Sequence, residues 1–188
     1  MISHKHKFVF IHSPKCGGGS IKKILRKHLA GSVIETPNSN HWEMWRHYEL
    51  HGKDLLDSYF KFGVIRNPWD RMVSWFHHCK SRHGFNGSFE DFIIGEKFLN
   101  HNSFSRNKFL VEGENKMDFI IKLENIEEDF KIVTKKFGIK NYNMTRERHG
   151  SNRIGNSYEE YYNEETKNKV EETFSWDINN FGYSFGDK

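Results

Sequence analysis

The feature that most restricts the fold is a run of three glycines, Gly17-Gly18-Gly19, set between two segments of opposite periodicity. Before it, Lys7 to His12 (KFVFIH) is a short β-rich run. After it, Ile21, Ile24, Leu25 and Leu29 recur at helical spacing with lysines and Arg26 between them, which predicts a helix from Ser20 through Leu29. A strand that runs through bare backbone into a helix N-terminus gathers N–H groups and the positive end of the helix dipole around one point. Such a point suits an anion, most often phosphate. Lys15 adds a charge from the loop, and Ser20 a hydroxyl at the helix start. The plainer alternative is a glycine turn followed by an N-capping serine.

The same grammar returns twice. Tyr59 to Arg66 (YFKFGVIR) reads as a buried strand entering Asn67-Pro68 and then a helix, Trp69 to Cys79, with Pro68 in the first turn, where its missing N–H does no harm. Met117 to Glu124 (MDFIIKLE) precedes a helix from Ile126 to Phe137 that stops at Gly138. Strands alternating with helices predict an α/β protein with a central parallel sheet flanked by helices. At 188 residues the chain is expected to form a single domain over 1–188. Gly31 to Asn40 and His83 to Asn107 lack periodicity and read as functional loops. Arg146 to Ser157 is polar and basic, and a last helix is expected over Glu164 to Phe174.

Composition narrows the class. Aromatic residues make up 15% of the chain, too many for a disordered protein. No apolar run approaches the roughly 18 to 20 residues of a membrane span, and the charged start, Met1 to Lys7, reads as neither a signal peptide nor an anchor. The two cysteines, Cys16 and Cys79, form no CxxC pair, so a disulfide scaffold or cysteine zinc site is not expected, and a reducing cytoplasm fits. The net charge of +4 suits an anionic small molecule, and Lys22, Lys23, Arg26 and Lys27 read as the solvated face of the first helix. Trp75, Phe76, Phe174 and Phe181 read as core residues.

A second anion feature is Arg66 at a strand end, with Ser74 eight residues later on the following helix. A guanidinium and a hydroxyl so placed can hold a phosphate; the alternative is a structural ion pair from Arg66 to Asp70. Two anion sites call for a ligand with two separated phosphate-like groups. Lys15 precedes its glycines, whereas in GxxxxGK[ST] the lysine follows them, which disfavours a nucleotide kinase. A nucleic-acid-binding module would need a clustered basic stripe, which is missing.

Taken together, these segments resemble the PAPS-dependent sulfotransferases, especially the branch that modifies carbohydrates. Phe8 to Ile21 (FVFIHSPKCGGGSI) is similar to the 5′-phosphosulfate loop of that family, usually FIHIPKTGGTSI, and Phe62 to Ser74 (FGVIRNPWDRMVS) to its 3′-phosphate motif, usually FVRNPWDRLVS. Asp118 to Phe130 and Trp176 to Tyr183 carry further echoes. The resemblance implies a P-loop-NTPase-like sulfotransferase fold. The implied reaction moves a sulfuryl group from PAPS to a hydroxyl of a small molecule or glycan, leaves adenosine 3′,5′-bisphosphate, and needs no metal, nucleic acid or membrane.

By the same resemblance, Lys15, Cys16, Gly17, Gly18, Gly19 and Ser20 would hold the phosphosulfate, with Lys15 offsetting charge on the leaving phosphate, while Arg66 and Ser74 would take the 3′-phosphate. Cys16 and Gly19 stand where threonines are usual and remove two hydroxyls. The base matches His41, between the motifs, with Glu43 and His47 in reserve. His101, Arg106 and Asn107 fall in a segment near the acceptor. Arg153 would close over the donor nucleotide or stand as a solvated loop residue.

Overall fold

The computed structural model describes residues 1–34, 41–96, 104–144 and 157–187. The chain divides into two compact units, each made of two stretches: Met1–Ile65 with Ser105–Glu147, and Arg66–Phe104 with Arg148–Lys188. Each unit is therefore discontinuous within the 1–188 span expected to form one domain.

In chain order the elements begin with β1 (Ile2–Ser3), β2 (Phe8–His12), α1 (Gly18–His28), α2 (Met44–His51), α3 (Lys53–Asp57) and β3 (Phe60–Ile65). Then come α4 (Pro68–Arg82), α5 (Phe89–Ile94), α6 (Ser105–Phe109), β4 (Leu110–Val111), β5 (Glu114–Asn115) and β6 (Phe119–Lys122). The last are α7 (Ile126–Lys136), α8 (Glu164–Thr173) and α9 (Ser175–Phe181).

In the first unit the sheet runs β1-β2-β3-β6. β2 pairs parallel with β3, from Phe8 opposite Phe60 to His12 opposite Val64, and β3 pairs parallel with β6. All five residues of β2 are buried, as a parallel strand covered on both faces requires. On one face Phe8, Phe10, Phe62, Val64 and Ile121 meet Ile21, Ile24 and Leu25 of α1 and Ile126, Phe130 and Val133 of α7 in a single core. The α/β sheet flanked by helices is thus as expected, with one difference. β1 joins the edge antiparallel to β2, Ile2 opposite Val9, and is too short to carry a strand signal.

Residues 44–57 form α2 and α3, where no element is predicted. Their periodicity is scrambled, because His47 is buried while Trp45, Leu50 and Leu55 face solvent. In the second unit, α5 forms inside the stretch expected to be loop, started by a capping box in which the Ser88 hydroxyl accepts from the Asp91 N–H and the Asp91 carboxylate from the Ser88 N–H. No helix among the described residues is long and apolar enough to cross a membrane.

The start of α4 explains much of the second motif. Asn67 caps the helix, its Oδ1 accepting from the N–H groups of Trp69 at 3.0 Å and Asp70 at 3.3 Å, and Pro68 follows at the first helical position. The Asn67 amide donates to the Tyr158 hydroxyl at 3.3 Å and the Ser184 carbonyl at 3.1 Å. Trp69 is buried and donates its indole N–H to the Lys167 carbonyl at 3.1 Å. Replacing Asn67 by Ala should cost about 1–3 kcal/mol, combining a lost cap and the amide's hydrogen bonds. Asn67→Asp should keep the cap and lose only the donors, so urea unfolding should rank wild type above Asn67→Asp above Asn67→Ala.

Candidate active site

The loop that leaves β2 turns at two left-handed residues, Lys15 at φ 65° and Gly17 at φ 77°. Gly17 is the N-cap and helical geometry begins at Gly18, so Ser20 lies in the first turn of α1 and is not its cap. The Ser20 N–H donates to the Gly17 carbonyl at 3.1 Å. Gly18 is required by packing, because a Cβ there would lie 2.3 Å from Cγ of His12. Gly19 is exposed with open space beside it, while the Cys16 thiol is buried and donates to the Pro14 carbonyl at 3.6 Å.

The N-terminus of α1 has no side-chain cap and no acidic residue in its first turn. In the second unit α5 and α8 are both capped and acidic there. An uncapped helix start without local carboxylates leaves its dipole to an outside anion. Lys15 stands within this loop, half-buried. Lys22, expected on a solvated face, is instead 6% exposed, one turn after Gly18, and its charge bears on both His12 and His41.

His41 lies beside the end of β2. Its Nδ1 is 3.3 Å from the His12 carbonyl, and its ring meets that of His12 edge to face at 4.7 Å. A carbonyl only accepts, so Nδ1 carries the proton and Nε2 the lone pair. Burial, helped by the charges of Lys108 and Lys22, holds the His41 ring below its ordinary 6.5, against the stabilising bond to His12. His41 is therefore a neutral imidazole with a basic nitrogen.

The two reserve residues, Glu43 and His47, lie in different surroundings. Glu43 receives a hydrogen bond from the buried ammonium of Lys108 at 2.9 Å and pairs with Arg46 at 2.8 Å. Burial raises its carboxyl, but the Lys108 bond, its own backbone N–H and the charges of Lys108 and Arg46 outweigh this and hold it below the usual range. The Lys108 ammonium also donates to the His41 carbonyl. A fully buried lysine on α6 thus anchors the segment that carries His41. His47 is buried on α2 beside the rings of Trp42 and His51, and burial, with the N-terminal charge and His51, pushes it down to about 3.

In the second unit, Arg66 donates from Nε and one terminal nitrogen to Asp70 Oδ2, at 2.8 and 2.6 Å. The ion pair held open as an alternative for Arg66 therefore forms. Asp70 and Ser74, four residues apart on α4, share one helix face, so Arg66 lies along the face that carries Ser74. Arg106 is exposed on α6 and Asn107 half-buried. His101 and Arg153 lie outside the described residues.

Sequence reasoning missed His12 and Lys108. His12 was legible only by its place, one residue before the loop. Lys108 had no signal, since a lysine on a short basic helix reads as solvated.

The model of the sulfotransferase family matches residues 1–184. The chain belongs to the sulfotransferase family. Carbohydrate sulfotransferase 10 of Xenopus laevis is 32% identical over 85 residues, 40% of this chain and 24% of that protein. Its Gallus gallus counterpart is 27% identical over 136 residues, 63% of this chain and 36% of its own length. The matches thus span about a quarter to a third of these two relatives. An uncharacterised protein of Archaeoglobus fulgidus is 34% identical over 95 residues, 47% of this chain and 75% of that one. Among solved structures, mouse sulfotransferase SULT7A1 complexed with PAP superposes with a TM-score of 0.58 at 14% identity, covering 94% of this chain and 86% of that one, which shows a shared fold.

Neutral burial of His12 and His47, each near 3 when folded against 6.5 unfolded, makes stability depend on pH. The folded pKa is depressed, so the unfolded chain takes up protons first as pH falls. Stability is full above about 6.5 and should decline by about 1.4 kcal/mol per pH unit per ring below it, down to the folded value. Urea midpoints between about pH 7.5 and pH 5 should fall on this slope, and His47→Phe should flatten it by one ring's share.

Proposed function

We propose that this chain transfers a sulfuryl group from PAPS to an acceptor hydroxyl on a carbohydrate. The observation that carries the reading is the uncapped, acid-free N-terminus of α1 behind the Lys15 loop, in a chain of this family. Each of the two motifs, taken by itself, offers groups that suit a phosphate. The first supplies backbone N–H groups, a helix dipole and a lysine; the second, an arginine oriented by Asp70 beside Ser74.

PAPS supplies an activated sulfuryl group joined to a good leaving phosphate. The acceptor oxygen forms a bond to sulfur as the sulfur–oxygen bond to the 5′-phosphate breaks. The acceptor proton goes to Nε2 of His41, which is neutral and already holds its other proton on Nδ1. Lys15 offsets the charge that builds on the departing phosphate, and the N–H groups at Gly18 and Gly19 share it. Catalysis is thus positioning and charge neutralisation, with His41 as the one proton acceptor. The carbohydrate acceptor is supported by the two relatives named carbohydrate sulfotransferase 10.

Adenosine 3′,5′-bisphosphate should stabilise the protein against heat more than 5′-AMP or ATP, since a charge-assisted hydrogen bond to the 3′-phosphate contributes about 1.5–3 kcal/mol. Arg66→Ala should erase most of that difference. Equal shifts for the bisphosphate and 5′-AMP in the wild type would remove the second anion site.

Turnover, followed as bisphosphate release from PAPS over a panel of glycans, tests the chemistry. Lys15→Ala should lower kcat far more than it weakens bisphosphate binding. His41→Ala should lose about 10²- to 10⁴-fold in rate and keep bisphosphate binding. A base must be neutral to act, so the wild-type rate should rise through a pKa below 6.5 and stay level above it. An active His41→Ala protein with the wild-type profile would end the base assignment.

A further inference from the structure

His12 ends β2, and the proposed reaction gives it no step. Several contacts meet in its side chain, which is 8% exposed. Nδ1 lies 3.2 Å from the Ser13 carbonyl, so it carries the ring proton and fixes the ring's rotation. The ring fills the space beside Gly18, where a Cβ would fall within 2.3 to 2.7 Å of three of its atoms. It stands edge to face with His41 at 4.7 Å, and its own carbonyl takes the His41 Nδ1–H. Nε2, by contrast, is buried and has no hydrogen-bond partner among the described residues.

An orphaned buried nitrogen is a cost that a phenyl ring would avoid. Phe10, two residues earlier on the same strand face, stacks on His12 at 5.6 Å and shows the apolar type this face otherwise carries. We propose that His12 is a positioning residue that couples the anion loop to the base: its ring seats Gly18, and its ring and carbonyl hold His41 in place and away from water. The proposal rests on reading His41 as the base, but its test does not use turnover.

Among the described residues, the ionisable groups that bear on His41 are His12 from β2, Lys22 from α1 and Lys108 from α6, the last paired with Glu43. Removing the His12 ring opens space beside His41 that water can enter. The charged form of His41 is then better solvated, so its titration moves up. The ring's volume, and not its charge, performs this task, because burial keeps His12 neutral.

The experiment follows the His41 ring resonances by NMR from about pH 4 to pH 8, identified by their loss in His41→Ala, in wild type, His12→Ala and His12→Phe. His41 should titrate below 6.5 in the wild type, closer to 6.5 in His12→Ala, and at the wild-type position in His12→Phe. Calorimetric binding of adenosine 3′,5′-bisphosphate should weaken about tenfold in His12→Ala and stay within about threefold in His12→Phe. Should His12→Ala not fold, His12→Val, better suited to a strand, carries the same comparison. An unmoved His41 titration in the small variant overturns the proposal, and so does a His12→Phe protein that behaves like His12→Ala. Retained sulfuryl transfer in His41→Ala would instead end the base assignment, a failure of the proposed function that the titration and binding measurements tell apart from a failure of the His12 contact.

Discussion

Parallel pairing of β2 with β3, from Phe8 opposite Phe60 to His12 opposite Val64, is the constraint on which the rest of the first unit depends. Parallel strands finish at the same edge of the sheet, so the segments that begin at Ser13 and Arg66 both leave from carboxyl ends of neighbouring strands. Such edges are where open α/β sheets receive ligands, because helix N-termini gather there and the strands' side chains are already spent on the core. Here every residue of β2 is buried, with α1 and α7 covering one face. That leaves the proposed chemistry to the loop after the strand, with the His12 ring at the strand's last position as the proposed positioning group.

Around that edge the protein buries polar groups at a cost and then satisfies most of them. The Lys108 ammonium, 1% exposed, is matched by Glu43 and by the carbonyl of His41, and Glu43 is matched again by Arg46. Such a network weighs little in net stability, yet removing one partner would strand a buried charge, so it fixes geometry more than it adds stability. Lys61 is treated likewise on β3. Its ammonium donates to the carbonyls of Leu56 and Tyr59 and lies 3.4 Å from Asp118. Unlike these two lysines, His12 and His47 each bury a nitrogen that has no partner among the described residues. Both rings remain neutral because burial disfavours their charged form.

The second motif combines structure and chemistry in adjacent residues. Asn67 caps α4, Pro68 fits its first turn, Trp69 reaches Lys167, and Asp70 holds Arg66. Arg71 is buried with its guanidinium over the Phe174 ring at 4.7 Å. Of these neighbours Arg66 is the one proposed to meet ligand. The ion pair with Asp70 and phosphate recognition are not rival roles, since a guanidinium held in one plane by a carboxylate loses less freedom when it binds.

Everything carried by local pattern was legible in the sequence. The 3.6-residue spacing of Ile21, Ile24, Leu25 and Leu29 announces α1, the run FKFGVI announces β3, and the glycines before a helix announce the turn that starts it. Each depends on neighbours a few residues away, and each appears within a few residues of its expected bounds. The boundary at Gly18 instead of Ser20 is a local refinement, since a left-handed Gly17 can start the helix without a side-chain cap. Tertiary structure alone decided which segments lie side by side. It set His12 against Gly18 and His41, and it turned Lys22 and Lys108 from solvated-looking lysines into buried cations. It also paired Glu43 with Lys108 across 65 residues of chain. Periodicity reports which face of an element is buried, but the electrostatics of a site depend on which charges from distant segments meet there. That meeting is set by strand order and helix packing, which no local pattern contains.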